Sequence, residues 1–423
     1  MTALPTEKFR EALPWVLLLS FMFCVNYTDR ALLGPLLVYI ESDLGLSHST
    51  AAGLLLYMSV GFTISTALSS FVAAKIAPVR IIAFSAFGCG LSLLAMSMAG
   101  DLVTLTTCVF GLGVMSGLYM TSAIATMGTL IQPQLWTKSL ALHELAPPIS
   151  LVITPLLAEA GVALYNACIA SPELGSLLPG ANALAESARF ASAWRGAALL
   201  LGVASLAAGV FFLLLGKGGQ IKTNPPSWAG VKEAVRSPLL WFFTWCFTLA
   251  VTGEFAPYNV LSLCLTYEWG LAPDDANKLL ALTRLASPFA ILAGGFLAPK
   301  LGISRTIKIF FILQGLTLVL MGMPVFEIAL IGMFAQPLLP PFAFPTVFTI
   351  VTTKFDLKQQ PLLFGIAIPL SSCIGLGLMP KLLGVFGDLW SFSAGFVVLG
   401  LIHVLGMPFC RMLEERKGNE KQF

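Results

Sequence analysis

Long apolar stretches alternate with short polar ones along the whole chain, and this pattern is the main structural signal in the sequence. About twelve stretches are long enough to cross the roughly 30 Å hydrocarbon core of a bilayer as helices. The predicted spans are residues 14–39, 50–74, 80–99, 103–129, 139–164, 195–215, 239–265, 276–298, 306–325, 328–351, 361–383 and 389–411. The pattern predicts an all-α membrane protein with twelve transmembrane helices.

Composition agrees with a polytopic membrane protein. Of the 423 residues, 57% are hydrophobic and 11% are charged, whereas roughly 25% of residues are charged in soluble domains. The net charge of +3 comes from scattered loop residues, and no basic run is dense enough to indicate nucleic-acid binding. The expected surroundings are the lipid bilayer.

The distribution of lysine and arginine predicts the orientation. If the N-terminus is cytoplasmic, 18 of the 24 basic residues fall in inner segments and four fall in outer segments. Cytoplasmic loops carry the excess of basic residues in membrane proteins. We therefore expect a multi-pass protein of the cell inner (plasma) membrane with both termini in the cytoplasm.

The two halves of the chain resemble each other at a constant offset of 225 residues. This offset aligns Asp29 with Glu254, and it also aligns Asp43 with Glu268. A duplicated six-helix unit explains the match. The predicted domains are an N-terminal six-helix bundle at 1–215, a polar cytoplasmic linker at 216–237 and a C-terminal six-helix bundle at 238–423, with the two bundles related by pseudo-symmetry.

Four charged residues lie deep within the apolar stretches: Asp29, Arg30, Glu254 and Arg284. A charge at the centre of a membrane helix costs about 2.5 to 3.5 kcal/mol on insertion scales. Such residues are kept where they face protein, water or a ligand. They are the first candidates for a functional site.

Two motifs give a family resemblance. The run Asn26-Tyr27-Thr28-Asp29-Arg30 and the segment Gly294-Gly295-Phe296-Leu297-Ala298-Pro299-Lys300-Leu301-Gly302-Ile303-Ser304-Arg305, with the six-plus-six layout, resemble the major facilitator superfamily. The first run is similar to that of anion:cation symporters, which commonly move organic anions with protons. Arg284 resembles the substrate-binding arginine of monocarboxylate and oxalate transporters. The resemblance implies alternating access between two bundles.

Glu254 and Arg284 are expected to lie at similar depth on neighbouring helices. A proton on Glu254 would release Arg284 for an anionic substrate, whereas a permanent structural ion pair is the alternative. Asp29 is expected on the cavity wall opposite Glu254 as a second proton acceptor. Arg30 is assigned either to substrate contact or to structural pairing with a neighbouring helix.

Five further polar residues complete the predicted site. His143 and Glu144 are candidates for proton relay or for an inner gate, although Glu144 can equally stabilise a helix start. Tyr119, Tyr258 and Asn259 offer neutral groups that could orient a substrate, although tyrosine also packs at membrane interfaces.

The favoured function is proton-coupled symport of a small organic anion, a carboxylate in the first instance, by a rocker-switch transporter that works as a monomer. Proton-driven efflux of hydrophobic drugs or metabolites is the alternative. An enzyme is not expected, since the sequence has no nucleotide-binding loop, no His/Glu zinc spacing and no acyltransfer pattern. We expect neither cofactor nor metal.

Overall fold

The computed structural model describes residues 9–170, 192–219, 228–354 and 360–407, and the regular elements in these ranges are helices. Within them, eleven helical stretches are long and apolar enough to cross a membrane, and a twelfth is shorter. We number them span 1, Phe9–Leu44; span 2, His48–Ser69; span 3, Pro78–Ser97; span 4, Leu102–Leu130; span 5, Lys138–Ala170; span 6, Trp194–Leu215; span 7, Pro238–Tyr267; span 8, Pro273–Leu297; span 9, Ile303–Met321; span 10, Phe326–Ile350; span 11, Gly365–Leu389; and span 12, Phe392–Gly406. The all-α membrane fold predicted from the sequence is confirmed.

Six of the spans are made of more than one helix. Their segments are Phe9–Ala31 and Leu33–Leu44 in span 1, Leu102–Ser116 and Tyr119–Leu130 in span 4, Trp136–His143 and Ala146–Ala170 in span 5, Pro273–Arg284 and Ser287–Leu301 in span 8, Phe326–Ala335, a 3-10 turn at Gln336–Leu338 and Leu339–Lys354 in span 10, and Gln360–Ser372, a π-helical turn at Cys373–Leu378 and Met379–Leu389 in span 11. The remaining spans are the single helices His48–Lys75, Pro78–Ser97, Trp194–Leu215, Pro238–Tyr267, Ile303–Met321 and Phe392–Gly406. A short helix, Trp228–Val235, lies within the predicted linker.

Prolines account for three of the breaks. A proline has no N–H to bond the carbonyl four residues earlier, and its ring clashes with that carbonyl. Three helices end at Ala31, His143 and Arg284. Each of these residues lies four positions before a proline, which is Pro35, Pro147 or Pro288 respectively. The breaks therefore lie at or next to three of the predicted functional residues, Arg30, His143 and Arg284.

The internal repeat has a structural counterpart at the ends of spans 1 and 7. Asp43 accepts hydrogen bonds from Trp194 Nε1 (3.0 Å) and Arg195 Nη1 (2.5 Å) at the start of span 6. Glu268, its equivalent at the offset of 225, accepts a hydrogen bond from Ser393 Oγ (2.6 Å) and one from the backbone N–H of Phe392 at the start of span 12. Each half thus joins its first span to its sixth in the same way.

The two halves meet at the distal end of the molecule, which we define as the end where span 1 turns into span 2. Asp388 of span 11 accepts hydrogen bonds from the backbone N–H groups of His48 (2.8 Å) and Ser49 (2.9 Å). Asn277 of span 8 donates to Glu159 Oε1 (2.6 Å) and to the carbonyl of Pro35 (3.1 Å). Together these bonds hold the distal end closed.

Further along the spans, at mid-depth, Thr63 Oγ1 donates to the carbonyl of Pro369 (2.8 Å). The hydrogen bonds between the halves that are described above therefore lie at the distal end and at mid-depth.

Close glycine packing makes the distal contact sensitive to added volume. A Cβ at Gly384 would lie 2.7 Å from the His48 carbonyl oxygen and 2.9 Å from Ser49 Cα, both of them backbone atoms. We expect Gly384→Ala to destabilise this arrangement by about 1–3 kcal/mol through overpacking, seen as a lower melting temperature. The control is Gly365→Ala on the same span, where a Cβ meets no atom within 4 Å. Equal melting temperatures for the two variants would contradict the prediction.

Candidate functional site

The charged run in span 1 divides between two faces of the helix. Asn26 and Asp29 are three residues apart and share one face, as Tyr27 and Arg30 share another. Asn26 donates to Ser85 Oγ (3.3 Å), and Asp29 accepts from Ser205 Oγ (2.8 and 2.7 Å), so this face packs within the first half. The other face turns toward the second half.

Arg30 is buried with its guanidinium close to two aromatic rings. Its Cζ lies 4.6 Å from the ring centroid of Tyr27 and 4.7 Å from that of Phe62 in span 2. The side chain is 8% exposed, and its Nε has no hydrogen-bond partner. No described residue forms a hydrogen bond or an ion pair within 4.0 Å with this guanidinium. The guanidinium therefore has aromatic neighbours and no polar partner in the described part of the protein, which leaves N–H groups for a ligand.

Arg284 lies on the opposite half, at the break of span 8. Its Nη2 donates to the backbone carbonyl of Glu254 (3.3 Å), and its Cζ lies 5.2 Å from the ring centroid of Tyr258. Its Nε is also buried without a partner. The guanidinium therefore retains donors for a ligand while it is anchored to span 7.

Glu254 is 3% exposed and stands within electrostatic range of Arg284, Arg30 and Glu144. Its carboxylate has no hydrogen-bond or ion-pair partner among the described residues. The contact with Arg284 is thus made by the main chain of Glu254 and not by its side chain. A permanent side-chain ion pair, the structural alternative considered for these two residues, is not present in this conformation.

Pro257 shapes the backbone beside Glu254. It leaves the carbonyl of Gly253 without its helical N–H partner, and this oxygen accepts from Gln314 Nε2 (3.2 Å) and from Gln336 Nε2 instead. Both glutamines are fully buried in spans 9 and 10, and sequence reasoning missed them. Polar residues within apolar spans, together with a proline in span 7, were the available signal.

Asp29 is 1% exposed, and its hydrogen bonds come from span 6 of the same half. The structure brings Arg30, and not the Asp29 carboxylate, to the face that meets the second half. The residue opposite Glu254 is Arg30, which lies within its electrostatic range. The Asp29 carboxylate therefore lies on the side of span 1 that packs within the first half, away from the face that carries Arg30.

Tyr119, His143 and Glu144 form a hydrogen-bonded chain in spans 4 and 5. The Tyr119 hydroxyl donates to the Leu19 carbonyl (2.5 Å), so its oxygen accepts from Nε2–H of His143 (3.2 Å). The ring of His143 stacks on Phe23 with centroids 4.6 Å apart, and its Nδ1 lies 3.3 Å from Glu144 Oε1. These contacts connect span 1 to Glu144 through the Tyr119 hydroxyl and the His143 ring.

The last two predicted contacts lie on span 7. Tyr258 is fully buried beside Arg284, and its hydroxyl lies near Thr154 of span 5. Asn259 packs against Gly34 where spans 1 and 7 cross, since a Cβ on Gly34 would lie 2.9 Å from Asn259 Oδ1. Tyr258 therefore adjoins the charged groups, and Asn259 adjoins the contact between the halves. In the described part of the chain, His, Cys, Asp and Glu side chains form no group of three that could hold a metal.

The chain is similar to known transport proteins. The sequence profile described as Major Facilitator Superfamily matches residues 19–258, and no curated protein matches the chain in sequence. Its structure is similar to a bacterial homolog of the human lysosomal transporter Spinster, inward-facing and occupied, with a TM-score of 0.77, 13% identity and coverage of 99% of both chains.

Two other solved structures show the same architecture. One is a POT family transporter in complex with 5-aminolevulinic acid, with a TM-score of 0.71, 13% identity and coverage of 98% of both chains. The other is the E. coli fucose:proton symporter, with a TM-score of 0.63, 14% identity and coverage of 95% of this chain and 98% of that one. At these identities the similarity shows the fold.

Proposed function

The chain belongs to the Major Facilitator Superfamily, and from that premise we propose that it carries a small organic anion, a carboxylate, in symport with protons. As a member of that superfamily, the protein is a multi-pass secondary transporter and not an enzyme. The substrate class, the coupling proton and the placement in the cell inner membrane with cytoplasmic termini are parts of the proposal.

The observation that carries the proposal is the pair of buried arginines with free donors on opposite halves. Arg30 has the rings of Tyr27 and Phe62 as neighbours and no partner for its N–H groups in the described part of the protein. The N–H groups of a planar guanidinium match the two oxygens of a carboxylate. Arg284 offers a second set of donors beside Tyr258. A substrate bound by both arginines would connect the halves, as alternating access requires.

Glu254 is the proposed site of the transported proton. Its carboxylate has no partner of its own, and it lies within electrostatic range of both arginines. When it is ionised, it competes with a substrate anion for the positive charge, and when it is protonated, it no longer does. Proton binding and anion binding then favour each other.

His143 and Glu144 are proposed to connect Glu254 with the cytoplasm. Glu144 is 29% exposed and lies within electrostatic range of Glu254, and His143 is fully buried behind it. If the termini are cytoplasmic, the closed distal end is the outer end and the structure is inward-facing. A proton leaving Glu254 would then pass the His143–Glu144 pair on its way inside.

Tyr119 connects this pair to span 1, and this connection can be tested. In Tyr119→Phe, Nε2–H of His143 loses its acceptor, a hydrogen bond worth about 1 kcal/mol. If the pair relays the transported proton, we expect proton-driven uptake to slow about 5-fold, the factor that corresponds to 1 kcal/mol. The control is Tyr57→Phe at a tyrosine that is 51% exposed. A lower melting temperature with an unchanged uptake rate would show that the hydroxyl serves packing alone.

Two structural neighbours support the substrate and ion proposed here. The similar E. coli protein is described as a fucose:proton symporter, and the similar POT family structure is described as a complex with 5-aminolevulinic acid, a carboxylic acid. Efflux of cationic drugs is disfavoured, because two arginines in the cavity repel a cation.

Uptake into proteoliposomes tests the proposal. With an alkaline interior, we expect radiolabelled lactate, 3-hydroxybutanoate or benzoate to accumulate together with protons, and Arg284→Ala to abolish this accumulation. The control is protein-free liposomes, which measure passive permeation of the acids. Gradient-driven extrusion of a cationic dye without any carboxylate uptake would overturn the proposal in favour of drug efflux.

A further inference from the structure

Three aromatic rings lie near the guanidinium of Arg30, and they come from both halves of the molecule. Tyr27 of span 1 and Phe62 of span 2 are its direct neighbours, with ring centroids 4.6 Å and 4.7 Å from its Cζ. The ring of Tyr27 also contacts that of Phe255 in span 7, with centroids 5.6 Å apart and planes inclined by 37°. We call Tyr27, Phe62 and Phe255 the aromatic set.

The aromatic set is not sealed by the surrounding protein. Tyr27 is 6% exposed, Phe62 9% and Phe255 7%, and Arg30 itself is 8% exposed. By contrast, the nearby ring of Tyr258 is completely buried. The accessible space beside Arg30 is therefore bordered by the three rings of the aromatic set.

Few polar groups border the same space. Glu254, the residue before Phe255, lies within electrostatic range of Arg30 and of the Tyr27 hydroxyl. In the proposed function, Arg30 holds the carboxylate of the substrate and Glu254 takes up the proton. The surface that the aromatic set leaves for the rest of the substrate consists mainly of ring carbons.

We infer that the substrate is an aromatic carboxylate, whose ring lies against the aromatic set while Arg30 holds its carboxylate. This inference rests on the proposed function and narrows its substrate class. Aromatic pairs are favourable at centroid distances of about 4.5–7 Å, and Tyr27 and Phe255 are close enough together for one substrate ring to contact both. A chain that carries hydroxyl groups would lose hydrogen bonds to water against ring carbons.

Phe255 is the specificity-determining residue that the second half contributes. Because Tyr27 and Phe255 belong to opposite halves, their contact has to change whenever the halves move relative to each other. A substrate ring that lies against both would link the halves beside the link that its carboxylate makes. A substrate without a ring would keep the carboxylate contact alone.

The decisive measurement is the affinity of the unmodified protein for benzoate, cyclohexanecarboxylate and 3-hydroxybutanoate at neutral pH, ranked by ligand-induced thermal stabilisation. Benzoate and cyclohexanecarboxylate have equally large rings, and only benzoate is aromatic. We expect benzoate to bind about 2-fold to 12-fold more tightly than cyclohexanecarboxylate, the range that one favourable aromatic pair corresponds to. Its advantage over 3-hydroxybutanoate, which buries less apolar surface, should be about 10-fold or more. Cyclohexanecarboxylate or 3-hydroxybutanoate binding as tightly as benzoate would overturn the inference.

Phe255→Leu tests the ring on the second half. Leucine keeps an apolar side chain and removes the ring, so the ratio of the benzoate affinity to the 3-hydroxybutanoate affinity should fall about 2-fold to 12-fold. A merely structural role would weaken both ligands equally, and an unchanged ratio would contradict the role assigned to Phe255. Phe62→Leu gives the same measurement on the first half if Phe255→Leu does not fold. The control is Phe296→Leu, at a ring that is 76% exposed, and it should keep the ratio of the unmodified protein.

Failure of this inference is distinguishable from failure of the proposed function. If lactate or 3-hydroxybutanoate accumulates with protons while benzoate neither binds nor accumulates, the proposed function stands and the aromatic class is wrong. If none of the three acids accumulates beyond the level of protein-free liposomes, the proposed function itself is refuted.

Discussion

Glu254→Gln is expected to abolish proton-driven accumulation of the substrate while leaving exchange of substrate across the membrane intact. Glutamine has the shape of a protonated glutamate and stays neutral, so that Arg284 and Arg30 remain free for the anion at every pH. Glutamine cannot supply the negative charge that Glu254 gives to Arg284 and Arg30 in the empty protein, so we expect the empty transporter not to return across the membrane. A bound substrate anion supplies that charge, so we expect the loaded transporter to return.

The expected loss of net uptake is about 100-fold or more, because an uncompensated buried charge costs several kcal/mol and each 1.4 kcal/mol is a factor of ten. Uptake driven by a pH gradient should fall to the level of protein-free liposomes. Counterflow, in which labelled substrate exchanges with unlabelled substrate inside, should persist and lose its dependence on pH. These two assays on the same preparation separate coupling from binding.

The matched control is Glu327→Gln, a glutamate at the exposed start of span 10. It should behave as the unmodified protein in both assays. Accumulation by Glu254→Gln against a substrate gradient would show that the proton is carried elsewhere, and Asp29 would then be the next residue to substitute. Loss of counterflow as well would indicate that Glu254 is needed for binding.

Much of the fold could be predicted from the sequence because the bilayer restricts the possibilities. A chain that crosses hydrocarbon must satisfy its backbone internally, and repeated apolar stretches then specify helices. The predicted bounds differ most where prolines interrupt a span. The sequence indicates 14–39 as one helix, and the structure has Phe9–Ala31 followed by Leu33–Leu44, with the break four residues before Pro35.

The site was predictable as a set of residues and less so as a set of contacts. The cost of burying charge identifies Asp29, Arg30, Glu254 and Arg284 in any helical arrangement. Which group faces the centre depends on the rotation of span 1, and a pattern of adjacent charges does not fix that rotation. The spacing of the polar residues within the run was the available signal, because Asp29 lies three residues after Asn26 and both side chains bond within the first half.

Contacts between spans that are distant in the chain could not be predicted from the sequence. The bond from Arg284 to the backbone carbonyl of Glu254 depends on the helix crossing of spans 7 and 8. The enclosure of Arg30 by Phe62 depends on the packing of span 2 against span 1. Tyr119 was assigned to substrate, and its hydroxyl is engaged with Leu19 and His143. No local pattern specifies such partners.

Arg30→Gln is expected to weaken substrate binding about 10-fold to 150-fold. A hydrogen bond between a carboxylate and a charged donor contributes about 1.5–3 kcal/mol, and this range converts to that loss of affinity. The side chain makes no hydrogen bond or ion pair with the described protein, so its removal should cost the apo protein little stability. Binding of lactate, 3-hydroxybutanoate or benzoate, measured as ligand-induced thermal stabilisation, reports the affinity directly.

Arg30→Lys separates charge from shape at the same position. Lysine keeps the positive charge and loses the planar fork that faces a carboxylate edge-on, so an intermediate affinity is the expected result. An affinity equal to that of the unmodified protein would mean that Arg30 acts through its charge alone. Lys278→Gln removes a cation that is 58% exposed and should leave binding unchanged. If Arg30→Gln also bound the probes with unchanged affinity, the two aromatic rings around Arg30 would mark a structural residue, and the anion would have to be held by Arg284.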